Sequence, residues 1–264
     1  MVKNGAKNVG DNTIRKILIT QPRPETDKSP YFELAKKYSI LLDFHPFIRL
    51  EGVPAKEFRK QKIEISNFSA VIFTSRNAID HFFRICEEMK VNVSQDTKYF
   101  CITEAVALYL QKFILYRKRK VFYGADGTNK SMFDVINKHK ENEKFIYPVS
   151  ENQQDNEIVN WLKNNRCEFA NPFMYRTISN DVKELFSKNN YDIICFFTPS
   201  GVKSLFDNFP KFEQNGTRIG AFGSNTSRAA EDAGLGVEIR APQPQAPSMV
   251  AALEAYLSSA FKKK

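Results

Sequence analysis

The chain has 264 residues, 42% of them apolar, and 23 are phenylalanine. That supplies the core of one large domain or of two ordinary ones and excludes a disordered chain. The formal net charge of +9 favours an anionic partner without naming it, and no apolar run approaches a membrane span.

Residues 1–13 are polar and rich in Gly and Asn, with no apolar signal core, and read as the disordered tail of a cytoplasmic protein. A strand follows (Ile17, Leu18, Ile19, Thr20), then a Pro-rich polar loop and a helix (Tyr31, Phe32, Leu34, Ala35, Tyr38). Residues 44–49 are extended and marked by Pro46. The apolar run 70–73 enters the turn Thr74-Ser75-Arg76-Asn77 and a helix with Ala78, Ile79, Phe82 and Phe83 on one face. Residues 99–102 repeat the device, with Thr103 opening a helix. Val121-Phe122-Tyr123-Gly124 leads through a polar loop to a helix from Ser131-Met132. Residues 144–148 lead through a polar stretch to a helix (Ile158, Val159, Trp161, Leu162). The extended segment 171–176 follows, marked by Pro172. The run 193–197 enters Thr198-Pro199-Ser200-Gly201 and a helix (Val202, Leu205, Phe206), and 219–222 enters Gly223-Ser224-Asn225-Thr226 and another. Last come Val237-Glu238-Ile239, a Pro-rich loop and a helix from Ser248-Met249.

These elements form two copies of one series. Three successive strand–turn–helix units beginning at 70 match three beginning at 193, and the unit at 144 matches the one at 17. The copy that lacks its own fourth unit takes it from the start of the chain. The expected fold is therefore α/β, with two parallel-sheet lobes covered by helices on both faces. Lobe 1 is discontinuous, residues 14–45 with 178–264; lobe 2 is 50–171; residues 46–49 and 172–177 are two hinge strands. Ligands of such sheets bind beyond the carboxyl ends of the strands, so a cleft between the lobes is the expected site. Each turn there aims Ser/Thr hydroxyls and free N–H groups outward, which suits carboxylate or phosphate. The same residues serve as ordinary helix caps, and the two uses are compatible.

Other chemistries find little support. Cys86, Cys101, Cys167 and Cys195 form no C-x-x-C pair and read as reduced and buried. His45, His81 and His139 have no metal spacing. No glycine-rich nucleotide loop occurs, and Asp126-Gly127-Thr128 reads as a turn. The cluster Arg117-Lys118-Arg119-Lys120 stands without a nucleic-acid motif and reads as solvated surface.

From about residue 14 onward the chain resembles the uroporphyrinogen-III synthase family. The resemblance rests on the Phe73-Thr74-Ser75 and Phe197-Thr198-Pro199-Ser200 turns, on Ile219-Gly220-Ala221-Phe222-Gly223 with Thr226, and on Tyr175-Arg176-Thr177. The loop with Ala241 and Pro244 before the last helix adds to it. It implies two flavodoxin-like lobes and an enzyme that cyclises the linear tetrapyrrole hydroxymethylbilane, with loss of water and inversion of ring D. It implies no metal or organic cofactor. Tyr175 would be the catalytic proton or hydrogen-bond donor; the alternative role for it is packing in the hinge. Substrate carboxylates would meet Thr74, Ser75, Arg76, Thr103, Thr198, Ser200, Gly201, Gly223, Ser224 and Thr226. The expected partner is a small molecule, with no nucleic acid or membrane, and the protein is expected to be a monomer. The chain departs from the family pattern at Glu104, at Val106 where relatives have Thr, and at Gln245. These departures keep open a second reading, a non-catalytic bilobed protein that binds a tetrapyrrole or another small anion.

Overall fold

Two parallel sheets are built from alternating strands and helices in the computed structural model, which describes residues 14–262. The expected N-terminal tail, residues 1–13, lies outside the described residues, as do Lys263 and Lys264. The chain begins with β1 (Lys16–Ile19), α1 (Pro30–Tyr38) and β2 (Leu41–Phe44), then runs through β3 (Ile48–Gly52). There follow α2 (Ala55–Phe58), β4 (Ala70–Phe73), α3 (Arg76–Met89), β5 (Lys98–Cys101), α4 (Glu104–Tyr109), β6 (Val121–Tyr123) and α5 (Asn129–Asn137). Next are β7 (Lys144–Ile146), β8 (Val149–Ser150), α6 (Glu157–Asn164), β9 (Glu168–Ala170) and β10 (Phe173–Ser179). The chain ends with α7 (Lys183–Lys188), β11 (Ile193–Phe196), α8 (Pro199–Asn208), β12 (Arg218–Phe222), α9 (Ser224–Asp232), β13 (Val237–Ala241) and α10 (Met249–Lys262). It divides into two compact units, one comprising the residues up to Arg49 and from Ile178 onward, the other Leu50–Thr177.

In the discontinuous unit the sheet order is β13-β12-β11-β1-β2, all parallel. The strand from the start of the chain sits inside this sheet, with Ile17, Leu18 and Ile19 opposite Ile193, Ile194 and Cys195. Asp192 helps to set that register: its Oδ2 accepts from the Arg15 and Lys16 N–H groups at 2.9 Å each. Side chains alternate between faces. Ile17, Ile19, Ile193 and Cys195 pack with Leu34 and with Met249, Leu253 and Leu257 of α10. Leu18, Ile194, Phe196 and Ile219 pack on the other face with Val202, Leu205 and Ala230. Burial on both faces explains why these strands are uninterrupted apolar runs.

The continuous unit has the order β6-β5-β4-β7-β9, also parallel. Val71, Phe73, Tyr99 and Cys101 face Ala78, Ile79 and Phe82 of α3 and Ala107 of α4. Ala70, Ile72, Phe100 and Phe145 face Met132 and Ile136 of α5 and Ile158, Val159 and Leu162 of α6. Counted along the chain, the first sheet has the order 2-1-3-4-5 of flavodoxin-like folds, whereas this one reads 3-2-1-4-5. Starting the count at β7 converts the second order into the first. β7, α6 and β9 are thus the counterparts of β1, α1 and β2.

β3, which shares only Ile48 and Arg49 with the Pro46-marked segment, and β10, which starts just after Pro172, are neighbours in a small separate sheet of order β3-β10-β8. β8 runs parallel to β10, with a register shift between Phe173 and Tyr175. All four cysteines are free; Cys86, Cys101 and Cys195 are buried, and Cys167 is half-buried.

Candidate active site

Every helix that follows the first four strands of the continuous unit's sheet starts on a side-chain cap. Ser75 Oγ accepts from the Ala78 N–H at 3.1 Å, Thr103 Oγ1 from Val106 at 3.2 Å, and Thr128 Oγ1 from Ser131 at 3.2 Å. Asn156 Oδ1 accepts from Ile158 at 2.9 Å and Val159 at 3.1 Å. A cap of this kind satisfies one or two of the orphan N–H groups, and those left over in the first turn can bind an anion. Arg76 opens α3 next to its cap. It is exposed, lies 5.3 Å from the Tyr109 ring centroid and has no carboxylate partner among the described residues.

Burial pushes the Tyr147 phenol up, and the polar side chains of Thr74 and Asn156 beside it offset part of that. Tyr175 lies on β10 and is only 7% exposed. Its ring stacks on His81, with centroids 4.9 Å apart and planes at 16°. Burial raises the Tyr175 phenol above its ordinary value, and the Ser75 hydroxyl beside it works against that shift. Arg84 Nε donates to His81 Nδ1 at 3.3 Å, while Arg84 Nη2 donates to the carbonyls of Val53 at 2.8 Å and Met174 at 3.2 Å. Burial, and then the Arg84 charge, lower the His81 value, with Asp80 opposing. Arg176 is held within the protein by Glu57 and Glu151.

The departures from the expected pattern have definite places. Glu104 is the exposed first residue of α4, and its carboxylate accepts from the Tyr123 hydroxyl at 3.0 Å. Val106 is 8% exposed and packs inward. Gln245 is exposed on a turn closed by Gln243 N–H to Ala246 O and Ala246 N–H to Gln243 O, both 2.9 Å.

In the discontinuous unit Thr198 caps α8, accepting from Gly201 N–H at 3.1 Å. Pro199 at the first helical position has no N–H to satisfy. Ser200 is half-buried and Gly201 buried. α9 starts differently. Gly223, at φ 87°, is its N-cap and brings no side chain, so the first-turn N–H groups from Ser224 to Thr226 have no side-chain cap. Ser224 is exposed, and Thr226 is 2% exposed. Thr74, Ser75, Arg76 and Thr103 therefore gather at the carboxyl end of one sheet, and Thr198, Ser200, Gly201, Gly223, Ser224 and Thr226 at that of the other.

One pairing shifts by a residue. The sequence matches Thr74 with Thr198, but β4 ends at Phe73 and β11 at Phe196, and the caps are Ser75 and Thr198. Phe197 is the counterpart of Thr74; it leaves the sheet and stacks on Phe222 with centroids 6.1 Å apart. No local pattern in the sequence marks Tyr147, His81 or Arg84 as site residues. Asn156 does carry a local signal, a capping residue before an apolar-periodic helix.

Among the described residues no cluster of His, Cys, Asp or Glu could hold a metal ion, and no helix is long and apolar enough to cross a membrane. No curated protein matches the chain. Two solved structures share the fold at low identity. A uroporphyrinogen-III synthetase from Helicobacter pylori 26695 aligns at 17% identity with a TM-score of 0.58, over 93% of this chain and 100% of that one. A mutant uroporphyrinogen III synthase from Thermus thermophilus aligns at 16% identity with a TM-score of 0.52, over 95% and 100%. The family model described as uroporphyrinogen-III synthase HemD matches residues 30–251, which include all of the continuous unit and most of the other. The chain belongs to the uroporphyrinogen-III synthase family, the cyclising lyases of haem biosynthesis.

Proposed function

We propose that this chain converts hydroxymethylbilane to uroporphyrinogen III, with release of water and inversion of ring D. The family match over residues 30–251 is the observation that supports this most directly. Hydroxymethylbilane closes without inversion, to the type I isomer, when left alone. The protein's task is to hold a flexible polyanion so that the inverted closure wins, which is catalysis by positioning. In this reading the substrate carboxylates meet helix N-termini. Thr74, Ser75 and Arg76 serve at α3, Thr103 at α4, Thr198, Ser200 and Gly201 at α8, and Gly223, Ser224 and Thr226 at α9.

Tyr175 acts on the leaving group. Its raised phenol stays protonated at neutral pH and donates to the departing hydroxyl. As the C–O bond breaks, the hydrogen bond from the phenol strengthens, the proton passes to the departing oxygen, and it leaves as water. The proton released when the macrocycle closes restores the phenol. The working form is a monomer on a small-molecule substrate, with no cofactor, nucleic acid or membrane. One departure, the Glu104 carboxylate at the start of α4, favours the second reading, a tetrapyrrole-binding protein without turnover.

The test is to feed hydroxymethylbilane to the purified protein and separate the isomers. Type III product in proportion to enzyme is expected. Type I alone at enzyme excess would end the proposal, and tight uroporphyrinogen binding without turnover would favour the second reading.

A further inference from the structure

We propose that His81 and Arg84 are positioning residues for Tyr175, and that Gly52 is bare because Arg84 needs the space. The inference rests on the role proposed above for Tyr175. Helix α3 and its cap reach Tyr175 at three points. The Ser75 hydroxyl lies beside the phenol. His81 lies flat on the ring, at 4.9 Å and 16°. Arg84 bonds the carbonyl of Met174, the residue before Tyr175, at 3.2 Å.

Arg84 joins the last two points, because its Nε also donates to His81 Nδ1 at 3.3 Å. That bond fixes the imidazole plane, and a fixed plane fixes the ring stacked on it. Arg84 is held in turn by Glu88 at 2.5 Å and by the Val53 carbonyl at 2.8 Å. Its guanidinium lies against Gly52. A Cβ there would sit 2.7 Å from Arg84 Cζ and Nη2 and 2.8 Å from Nε. These are the far end of a flexible side chain, so an alanine would move Arg84 at small cost to the fold. Neither His81 nor Arg84 touches the reacting atoms in this scheme; both act through the aim of the phenol.

The experiment measures kcat, KM and the thermal midpoint for His81→Ala, His81→Phe, Gly52→Ala, Tyr175→Phe and the double variant His81→Ala/Tyr175→Phe. His81→Ala is expected to lower kcat about tenfold with KM within about twofold, the scale of a misaimed catalytic group. His81→Phe keeps a face to stack on and should recover most of kcat. Gly52→Ala should lower kcat about threefold or more while folding normally, since it dislodges only Arg84. On the Tyr175→Phe background, His81→Ala should change kcat by less than about twofold, because coupled residues are not additive. Equal losses on both backgrounds would overturn the proposal, as would wild-type kcat in His81→Ala and Gly52→Ala while Tyr175→Phe is impaired. Wild-type kcat in Tyr175→Phe would instead remove the role of Tyr175 on which the proposal stands.

Discussion

The Tyr123 hydroxyl, at the end of β6, donates to the Glu104 carboxylate at the start of α4 across 3.0 Å. A carboxylate suits the positive end of a helix, so Glu104 is locally comfortable. It also places negative charge where an anionic substrate would bind. The bond to Tyr123 ties that charge to one position. We expect Glu104→Gln to lower KM for hydroxymethylbilane about two- to fivefold, with the gain shrinking as salt is added, as for any exposed charge. Tyr123→Phe frees the carboxylate and should raise KM. A KM for Glu104→Gln equal to or above wild type would show that substrate never approaches α4.

Tyr175→Phe removes the phenol proton and keeps the ring on His81. The expected result is a kcat loss of about a hundredfold, the lower end for a positioned proton donor, with KM little changed. The pH profile gives a second measure. Burial raises the phenol, so the donor form persists above its ordinary range, and no alkaline fall in kcat from this group is expected below about pH 10. A kcat limb falling near pH 8 and abolished by Tyr175→Phe would contradict this environment.

The interior strands are legible in the sequence because burial on both faces demands unbroken apolar runs, as at Ile17, Leu18 and Ile19 or at Ala70 to Phe73. Edge strands lack that demand. β2 opens on Leu41, which is 65% exposed, and β9 opens on exposed Glu168, so neither announces itself. α7 buries no residue and leaves no periodic stripe. The site divides in the same way. Caps are local, so Ser75, Thr103 and Thr198 can be found from a hydroxyl before a helix. The stack of His81 on Tyr175 joins residues far apart in the chain, and no local pattern signals it.

Stability should fall on the alkaline side because buried thiols hold their protons. Burial pushes Cys86 and Cys101 up to about 12 in the folded protein, against an ordinary value near 9. A group whose folded value is raised stabilises fully below the unfolded value and loses that contribution as pH climbs to the folded one. We therefore expect the thermal midpoint to drop between about pH 9 and 12. Replacing Cys86 and Cys101 with Ala should flatten that part of the curve, and an unchanged slope would assign it to other groups. In the folded state at pH 8 a thiol reagent should modify half-buried Cys167 first, with Cys167→Ser removing the fast phase.

The discontinuous unit depends on a strand from the start of the chain. β1 lies between β2 and β11, and Ile17, Leu18 and Ile19 are fully buried. Removing residues 1–45 strips β1, α1 and β2 together. Cys195 and Ile193 then lose their β1 partners and keep only those on β12, and Leu253 and Leu257 lose the Leu34 side of their packing. Each large apolar group left against a void costs about 2–5 kcal/mol, so several at once exceed the stability of an ordinary domain. The continuous unit, Leu50–Thr177, draws all five strands of its sheet from its own span. As an isolated fragment it should unfold cooperatively, with the near-ultraviolet signal of a packed aromatic core. The chain lacking residues 1–45 should show that one transition and none for the remainder. A second cooperative transition in the truncated chain would mean that β11, β12 and β13 hold together without β1.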